Sequence, residues 1–597
     1  MASASSGTAV APRGNRLFVA AIDFGTTYSG YAFSSKDDFE KEPMKINSNV
    51  WNAGARNLLS TKSPTALLLN PDETFNSFGY EAETTYSEIV EDDDNYREYY
   101  YFHRFKMMLH NNKVLRRDSK ILDETDKPLE AMKVFSMSIK FLKDHLFKSI
   151  KDKVPEIQSD DIHYVLTVPA IWDDNAKQFM REAAMKAGIK REHLSIALEP
   201  EAASIHCQNL PVEKQTVGEV SFLKVVKSGT KYMIVDLGGG TADITVHQRS
   251  GDGRLKEIRP ASGGPWGGKS VDDTFLQFLY DLVGKDVIKT LKEENMDDYL
   301  ELMREFETKK RSVTVAKQGK ISMTFPVTIS DLVKKSPRGS MEAAISASKF
   351  KGHVNWKTQK LQISTDLFRS FFRKTIDGVI CHIQDVLSDR NTQDVENILM
   401  VGGFSECELV QNAVHEHFGE KRIIVPDEAG LSVLKGAVLF GHIPRAIAMR
   451  VSRCTYGIQS WPEFDPTKHP QSKKVVINGV PRCKDVFFKY ITVGEQVRPG
   501  YEQTQIFQAL KPDEDTLECT VYASNEEDPK FVTDQTCRRL GTLTVPLPRM
   551  RAEEPLEIEE TMVFGDTELH VVAKDLTHNR VFEAFFNFLD NNADSDA

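Results

Sequence analysis

Ile22-Asp23-Phe24-Gly25-Thr26-Thr27 and Val235-Asp236-Leu237-Gly238-Gly239-Gly240-Thr241 read almost alike. In each, apolar strand residues run up to an acid, and Gly and Thr follow where the chain has to turn tightly. Either turn alone reads as an ordinary β-hairpin turn. Two copies in separate parts of one chain, in the same acid-to-Gly order, predict two matching halves that grip one polyphosphate from both sides. Phosphates need convergent donors close to the backbone, and Gly permits both the positive-φ turn and the close approach. The hydroxyls of Thr26, Thr27 and Thr241 add donors. Asp23 and Asp236, at the strand ends just before the turns, are placed to hold Mg²⁺ through its waters, because Mg²⁺ keeps most of its hydration shell.

Outward from these turns, strands alternate with helical stretches from Leu17 to about His442, the pattern of an α/β fold. Leu17 to Phe33 and Tyr232 to His247 read as hairpins. His163 to Pro169 is a strand with a Pro stop. Between Asp174 and Gly188, Ala176, Phe179, Met180, Ala183, Ala184 and Ala187 recur at helical spacing before a Gly cap. Val271 to Val283 is a second amphipathic helix, and Ile398 to Val401 a buried-type strand running into Gly402-Gly403. Past Arg445 the pattern becomes β-rich: Thr455–Ser460, Lys474–Ile477, Val486–Val493, Thr504–Ala509, Leu517–Ser524, Gly541–Val545, Thr561–Phe564 and Glu568–Ala573. Turn residues separate many of these runs, which predicts a β-sandwich. The expected organisation is therefore a disordered N-terminus over 1–16, an α/β unit over 17–445, a β-sandwich over 446–589 and an acidic disordered tail over 590–597.

Composition narrows the classes. A chain of 597 residues is too long for one ordinary core. A formal charge of −11 argues against a general nucleic-acid surface, which needs a positive field. One bound nucleotide remains compatible, since Mg²⁺ and backbone N–H groups meet its charge locally. The seven cysteines are scattered, with no C-x-x-C pair, so neither a zinc site nor a disulfide framework is indicated. The first 16 residues lack the apolar stretch of a secretory signal, and no run reaches the ~20 apolar residues of a membrane span. The expectation is a soluble protein of the cytoplasm or nucleus, with no obligate oligomer indicated. Glu91-Asp92-Asp93-Asp94 reads as a solvated loop rather than a metal site.

One signal competes with the twin turns. Gly263-Gly-Pro-Trp-Gly-Gly268-Lys269-Ser270 satisfies the P-loop pattern and enters a helix-like segment. A P-loop leaves a buried parallel strand, whereas Arg254 to Ala261 is charged and contains Pro260. Pro265 and Trp266 also stand where the loop backbone must wrap phosphate. The match reads as coincidental, although a Gly-rich turn entering a helix still suits the edge of a nucleotide pocket.

The remaining signals are Leu198-Glu199-Pro200-Glu201-Ala202-Ala203-Ser204, Val401-Gly402-Gly403-Phe404, and Val425-Pro426-Asp427-Glu428-Ala429 before Gly436-Ala437-Val438. Together with the two turns, this order resembles the actin, sugar-kinase and 70-kDa heat-shock ATPase superfamily, in its heat-shock branch. Ala-Leu-Glu-Pro-Glu-Ala-Ala-Ser and Phe-Met-Arg-Glu-Ala-Ala are similar to the divergent subgroup called heat shock 70 kDa protein 12. The resemblance covers nearly the whole chain. It implies a two-lobed actin-like ATPase domain followed by a C-terminal β-sandwich domain, with ATP or ADP and Mg²⁺ as ligands. Gly25, Thr26, Thr27 and Tyr28 would form the first phosphate loop, and Gly238, Gly239, Gly240 and Thr241 the second. Asp23 and Asp236 would hold hydrated Mg²⁺, and Glu199 would position the hydrolytic water. Glu307 and Lys310, in Phe306-Glu-Thr-Lys-Lys-Arg311, would face the ribose, with Gly402, Gly403 and Asp427 closing the adenosine pocket.

The chain also departs from that family. The phosphate-reaching lysine falls near Phe102-His-Arg-Phe-Lys106, where the match is out of step by a residue. Lys106 is the candidate, against its reading as a plain surface lysine. Glu406 stands where the family carries an adenine-stacking Arg, and a carboxylate cannot replace that stacking. Ile443 to Val451 replaces the family's apolar-acidic linker and offers no evident element to transmit a nucleotide signal, so weak coupling is expected. The sandwich is further expected to lack the family's helical lid, since the sequence stops where that lid would begin. The reading these residues support is a slow Mg²⁺-dependent ATPase with a chaperone-like or partner-binding β-domain. The alternative is a nucleotide-gated scaffold that hardly hydrolyses ATP. A small-molecule kinase leaves the β-sandwich without a role, and a P-loop NTPase would rest on Lys269.

Overall fold

A computed structural model of the chain describes residues 16–52, 59–92, 94–112, 115–210, 228–443, 445–508, 516–546, 557–565, 569–576, 580–585 and 589. Apart from Arg16, the two terminal segments expected to be disordered lie outside the described residues. Within the first three-quarters of the chain, two sheets repeat one plan. In the first, the hairpin β1 (Phe18–Phe24) and β2 (Tyr28–Ser35) is extended on one side by β3 (Asn47–Ser48). On the other side follow the parallel strands β4 (Ile162–Val168) and β5 (Leu194–Leu198). In the second, β6 (Lys231–Leu237) and β7 (Ala242–Arg249) form the hairpin and β8 (Leu255–Gly264) lies antiparallel beyond it. The parallel strands β9 (Asn397–Val401) and β10 (Arg422–Ile424) then continue from β6. The central strands are near-continuous apolar runs because both faces are covered. They leave both acids and both turns at the same end of their sheets.

Two helices cross between the sheets and join the lobes. These are α3 (Glu199–Asn209) and α7 (Ala429–His442). They share a core with Val19, Ala21 and Val165 of one sheet and Ile234, Leu399 and Val401 of the other. Gly436 makes the crossing close: a Cβ there would stand 1.7 Å from the Ala202 carbonyl oxygen. The other helices used below are α1 (Ala131–Lys151), α2 (Asp174–Lys186), α4 (Gly268–Val283), α5 (Met296–Ser312) and α6 (Thr365–Leu387). Helices α1 and α2 cover the first sheet through Phe135, Ile139, Phe179 and Met180, while α4, α5 and α6 stack Phe275, Phe306, Phe368 and Phe371. Asp173 caps α2 by accepting from the Ala176 N–H, which accounts for its start beside the strand stop. Among the described residues, no helix is long and apolar enough to cross a membrane.

The C-terminal region is a β-sandwich. One sheet runs Val486–Ile491, Thr455–Ser460, Thr516–Ser524, Cys537–Pro546; the other runs Tyr501–Gln508, Glu557–Phe564, His570–Asp575, Arg580–Phe585. Its core sets Ile458, Tyr490 and Val521 against Ile558, Met562 and Val571. Lys474–Ile477 was expected in the sandwich but pairs with Val480–Cys483 in a separate ribbon. The last strand, Arg580–Phe585, was not among those expected. Glu91 and Asp92 close a helix, Tyr80–Asp92, rather than lying in a loop, and Asp93 falls outside the described residues.

The P-loop match also resolves here. Arg254 to Ala261 does lie mostly in a strand, β8, but that strand is antiparallel to its β7 neighbour and irregular opposite Val246, near Pro260. The turn after it docks on the second Gly-rich turn: Gly267, Gly268 and Lys269 N–H donate to Gly240, Gly238 and Gly239 carbonyls at 3.2, 3.2 and 2.8 Å. Those N–H groups are spent within the protein, and Lys269 pairs with Asp273 at the surface. A Cβ at Gly267 would fall 2.5 Å from the Gly240 carbonyl carbon, whereas one at Gly403 meets open space. Gly267→Ala is therefore expected to destabilise the fold by about 1–3 kcal/mol, and Gly403→Ala to stay within about 0.5 kcal/mol of the parent, both read from urea unfolding.

Candidate functional site

The two turns meet face to face. A Cβ on Gly239 would lie 2.1 Å from Thr27 Oγ1, and one on Gly240 2.7 Å from Thr26 Oγ1. Gly25 is held by the first turn itself, since a Cβ there would meet the Tyr28 carbonyl oxygen at 2.1 Å. In a trans peptide the C=O and the following N–H point in opposite directions. The carbonyls of Gly238, Gly239 and Gly240 all point at the start of α4. The N–H groups of Gly239, Gly240 and Thr241 therefore point the other way, toward the side where Thr26 and Thr27 stand. Successive N–H groups aimed at one concavity form an anion cradle.

Carboxylates crowd the same cleft. Asp236 is the cross-strand partner of Asp243, so like groups stand opposite each other, where the first hairpin pairs Asp23 with Gly30. Gly402, at φ +84°, yields space to Asp236, because a Cβ there would reach 2.4 Å from its Oδ1. Burial, and then the nearby charges of Glu199, Asp243 and Asp23, push the Asp236 carboxyl well up. Burial also raises Asp243, against the opposing pull of the Ile171 N–H, which donates to its Oδ1 at 2.9 Å. Asp23 differs. Burial alone would raise it, but the Lys62 ammonium at 2.6 Å from Oδ2, Lys106, and the Thr167 hydroxyl at 2.9 Å from Oδ1 hold it below the usual range.

Glu199 opens α3, placed by Pro200 in the first turn. Its Oε1 accepts from Lys106 Nζ at 2.9 Å. Burial, tempered by Lys106 and reinforced by Asp23 and Asp243, raises the Glu199 carboxyl to about 7, where it changes protonation near neutral pH. Lys106 is 2% exposed, which overturns its reading as a surface lysine. Its Nζ also stands 5.0 Å from the centre of the Trp172 ring. Arg104, with a left-handed backbone, precedes the short helix bearing Lys106.

Glu307 and Lys310, on α5, are tied into one ionic network. Lys310 Nζ donates to Asp272 Oδ1 at 2.6 Å and approaches Glu307 Oε2 at 2.5 Å, and Arg104 reaches across from the other lobe to both acids. Burial would raise Glu307, but Lys310 and Arg311 bring it down to about 2. Tyr28, expected in the phosphate loop, turns its ring to the Arg311 guanidinium, 4.7 Å away. Gly268, Lys310 and Phe404 gather at one wall, beside the open space over Gly403. Asp427 is exposed in the turn entering α7, two residues before Ala429, whose carbonyl accepts from Gly402 N–H at 3.0 Å. Glu406 turns to the start of α7 and accepts from Gly430 N–H at 3.1 Å.

Several members of the cleft escaped sequence reading: Lys62, Asp243, Asp272 and Arg104. Asp243 had a legible signal, since the hairpin register places it opposite Asp236. For the others, no local spacing marks them. The junction with the sandwich was missed as well. β11 (Ile447–Val451) extends the second sheet parallel to β8 and pairs with Gln496–Val497 from the C-terminal region. Arg450 donates to both oxygens of buried Glu201 at 2.7 Å and to the Gly565 carbonyl at 2.6 Å. Arg453 holds the carbonyls of Ala170 and Trp172. Arg450 and Arg453 thus tie the segment entering the sandwich to Glu201 and to the loop bearing Trp172.

Comparison with known proteins agrees with this architecture. The family model described as Hsp70 protein matches residues 70–458. The chain belongs to the HSP70 family, and its fold is the two-lobed actin-like ATPase fold followed by a β-sandwich. It is similar to heat shock 70 kDa protein 12A of Homo sapiens, at 35% identity over 96% of this chain and 92% of the relative. Similarity to heat shock 70 kDa protein 12B of Homo sapiens is 34% over 96% and 91%. The chaperone protein DnaK of Mycoplasmopsis agalactiae (strain NCTC 10123 / CIP 59.7 / PG2) is 26% identical over 58% of this chain and 51% of its own length.

The raised Glu199 carboxyl has a measurable consequence. Between its ordinary value of 4.5 and about 7, the folded protein binds more protons there than the unfolded chain does. This group therefore lowers stability progressively as pH rises through that window. Glu199→Gln removes the effect, so the stability of the variant relative to the parent should climb from pH 4.5 to 7 and then level off. Urea midpoints measured across that range check this.

Proposed function

We propose that the chain binds ATP and ADP with Mg²⁺ between its two lobes, hydrolyses ATP slowly, and uses its β-sandwich to dock a protein client or partner. On this reading the nucleotide-binding unit spans 17–445 and the sandwich 446–589, and the protein acts in the cytoplasm or nucleus. One observation carries the nucleotide assignment: the carbonyls of Gly238, Gly239 and Gly240 are all tied to α4, which turns three successive N–H groups toward Thr26 and Thr27.

The donor set also fits Mg²⁺. Among the described residues, no group of three or more His, Cys, Asp or Glu is close enough to hold an ion directly. Four acids gathered in one cleft, Asp23 and Asp236 among them, offer carboxylate oxygens to an ion that keeps its waters. Asp23 and Asp236 would hold it, and the bound ion supplies neutralisation of phosphate charge. The turn N–H groups and the Thr26, Thr27 and Thr241 hydroxyls bind and orient the phosphates. Lys106 adds positive charge and keeps Glu199 aimed into the cleft. Glu199, near neutral in its proton affinity, aligns and deprotonates a water. Glu307, Lys310, Gly402, Gly403 and Asp427 form the adenosine side.

Asp23→Ala should abolish the thermal stabilisation given by Mg·ATP, and Glu199→Gln should keep it while slowing single-turnover hydrolysis by about 10²–10³. Unchanged behaviour in the Asp23 variant would reject the site. The scaffold alternative draws on Glu406, a carboxylate committed to Gly430 where a purine-stacking cation is lacking. Measurable product in a single turnover decides against it.

The junction makes nucleotide state and sandwich position interdependent on this reading, because Glu199 and Glu201 share the first turn of α3. Arg450→Met leaves Glu201 buried without its bidentate partner, a loss of about 3–5 kcal/mol. Limited proteolysis of the 445–455 segment should respond to Mg·ATP in the parent and lose that response in the variant.

A further inference from the structure

Lys62 is placed with unusual care for a residue outside any sequence motif. The strand Ser63–Pro64 pairs with Tyr28 and Ser29 at the start of β2, directly after the first turn. Thr65 fastens it there: its N–H donates to the Thr27 carbonyl at 2.9 Å, and its hydroxyl donates to the Gly25 carbonyl at 2.7 Å. Ser60 Oγ donates to the Lys62 carbonyl at 2.6 Å. The Lys62 stem packs over Gly30, where even a Cβ would come within 3.1 Å of its Cγ. The ammonium is thereby delivered to Asp23 Oδ2 at 2.6 Å, and its charge also acts on Asp236.

Those are the two acids assigned above to hydrated Mg²⁺. An ammonium carries one positive charge and three donors, the same kind of donors that metal-bound waters present to a carboxylate. Lys62 engages one Asp23 oxygen and Thr167 the other. Waters around a divalent cation must therefore share or displace contacts that Asp23 already makes.

We infer that Lys62 is a resident cation of the phosphate cleft, a nucleotide-binding residue that stands in part for the divalent ion. Nucleoside diphosphate binding then depends only weakly on Mg²⁺. The inference rests on the nucleotide reading of the cleft and concerns this chain's own residue at that site.

Isothermal titration calorimetry of the full chain with ADP, in Mg²⁺ and in EDTA, tests it for the parent, Lys62→Ala and Lys62→Arg. In the parent, removing Mg²⁺ should change the ADP Kd by less than about tenfold. Lys62→Ala should bind ADP more weakly than the parent in both buffers and lose more than about tenfold on passing from Mg²⁺ to EDTA, the scale of one lost charged contact. Lys62→Arg, which keeps the charge, should follow the parent, a rescue that a merely structural role would not produce. A parental dependence above tenfold overturns the inference even if Lys62→Ala does not fold, as does equal Mg²⁺ dependence in parent and Lys62→Ala. ADP binding by the parent in neither buffer overturns the nucleotide reading itself, and the inference with it.

Discussion

Asp23, Glu199, Asp236 and Asp243 share one buried cleft, and among the described residues the Lys62 and Lys106 ammonium groups reach it. Like charges at such range cannot all ionise freely in a low-dielectric interior. The cleft answers by division of labour. Asp23 is paired and kept ionised, Glu199 is poised near neutrality, and Asp236 and Asp243 are driven toward the protonated form. A site in this condition favours any added positive charge. On the proposed reading, a nucleotide with its counter-ion would bring both the positive charge these acids lack and phosphates for the turn N–H groups.

That charge arrangement depends on close backbone packing. Thr26 and Thr27 can face Gly239 and Gly240 because no side chain intervenes, and the second turn keeps its orientation because α4 begins against it. The helix start thus uses its own unpaired N–H groups on the turn's carbonyls. What would be an anion site at the helix becomes one at the turn.

The acids are also wired outward. Glu199 and Glu201 are two residues apart on α3, one facing the cleft and the other holding Arg450 of the strand that leads into the sandwich. Arg453 fixes the loop whose Trp172 ring flanks Lys106. The Arg450–Glu201 tie is buried, so a shift on either side of it leaves charges unsatisfied, while the Arg453 tie is half-buried.

Local sequence carried whatever depends on neighbouring residues. The twin turns, the strands before them, the Gly-capped α2, the two acids and the sandwich pattern were legible because period, Gly and Pro act over a few positions. Glu199 was legible through its motif. The sandwich edge was less so, since the apolar run in Lys474–Ile477 reads like a sandwich strand yet pairs elsewhere. Tertiary structure alone decided which charges meet. Lys62 reaches Asp23 across 39 positions, Arg450 reaches Glu201 across 249, and Arg104 reaches Asp272 across 168. No periodicity encodes such pairs. They exist because the fold brings distant segments together: Lys62 meets Asp23 within the first sheet, Arg104 meets Asp272 across the two lobes, and Arg450 meets Glu201 where the sandwich joins them.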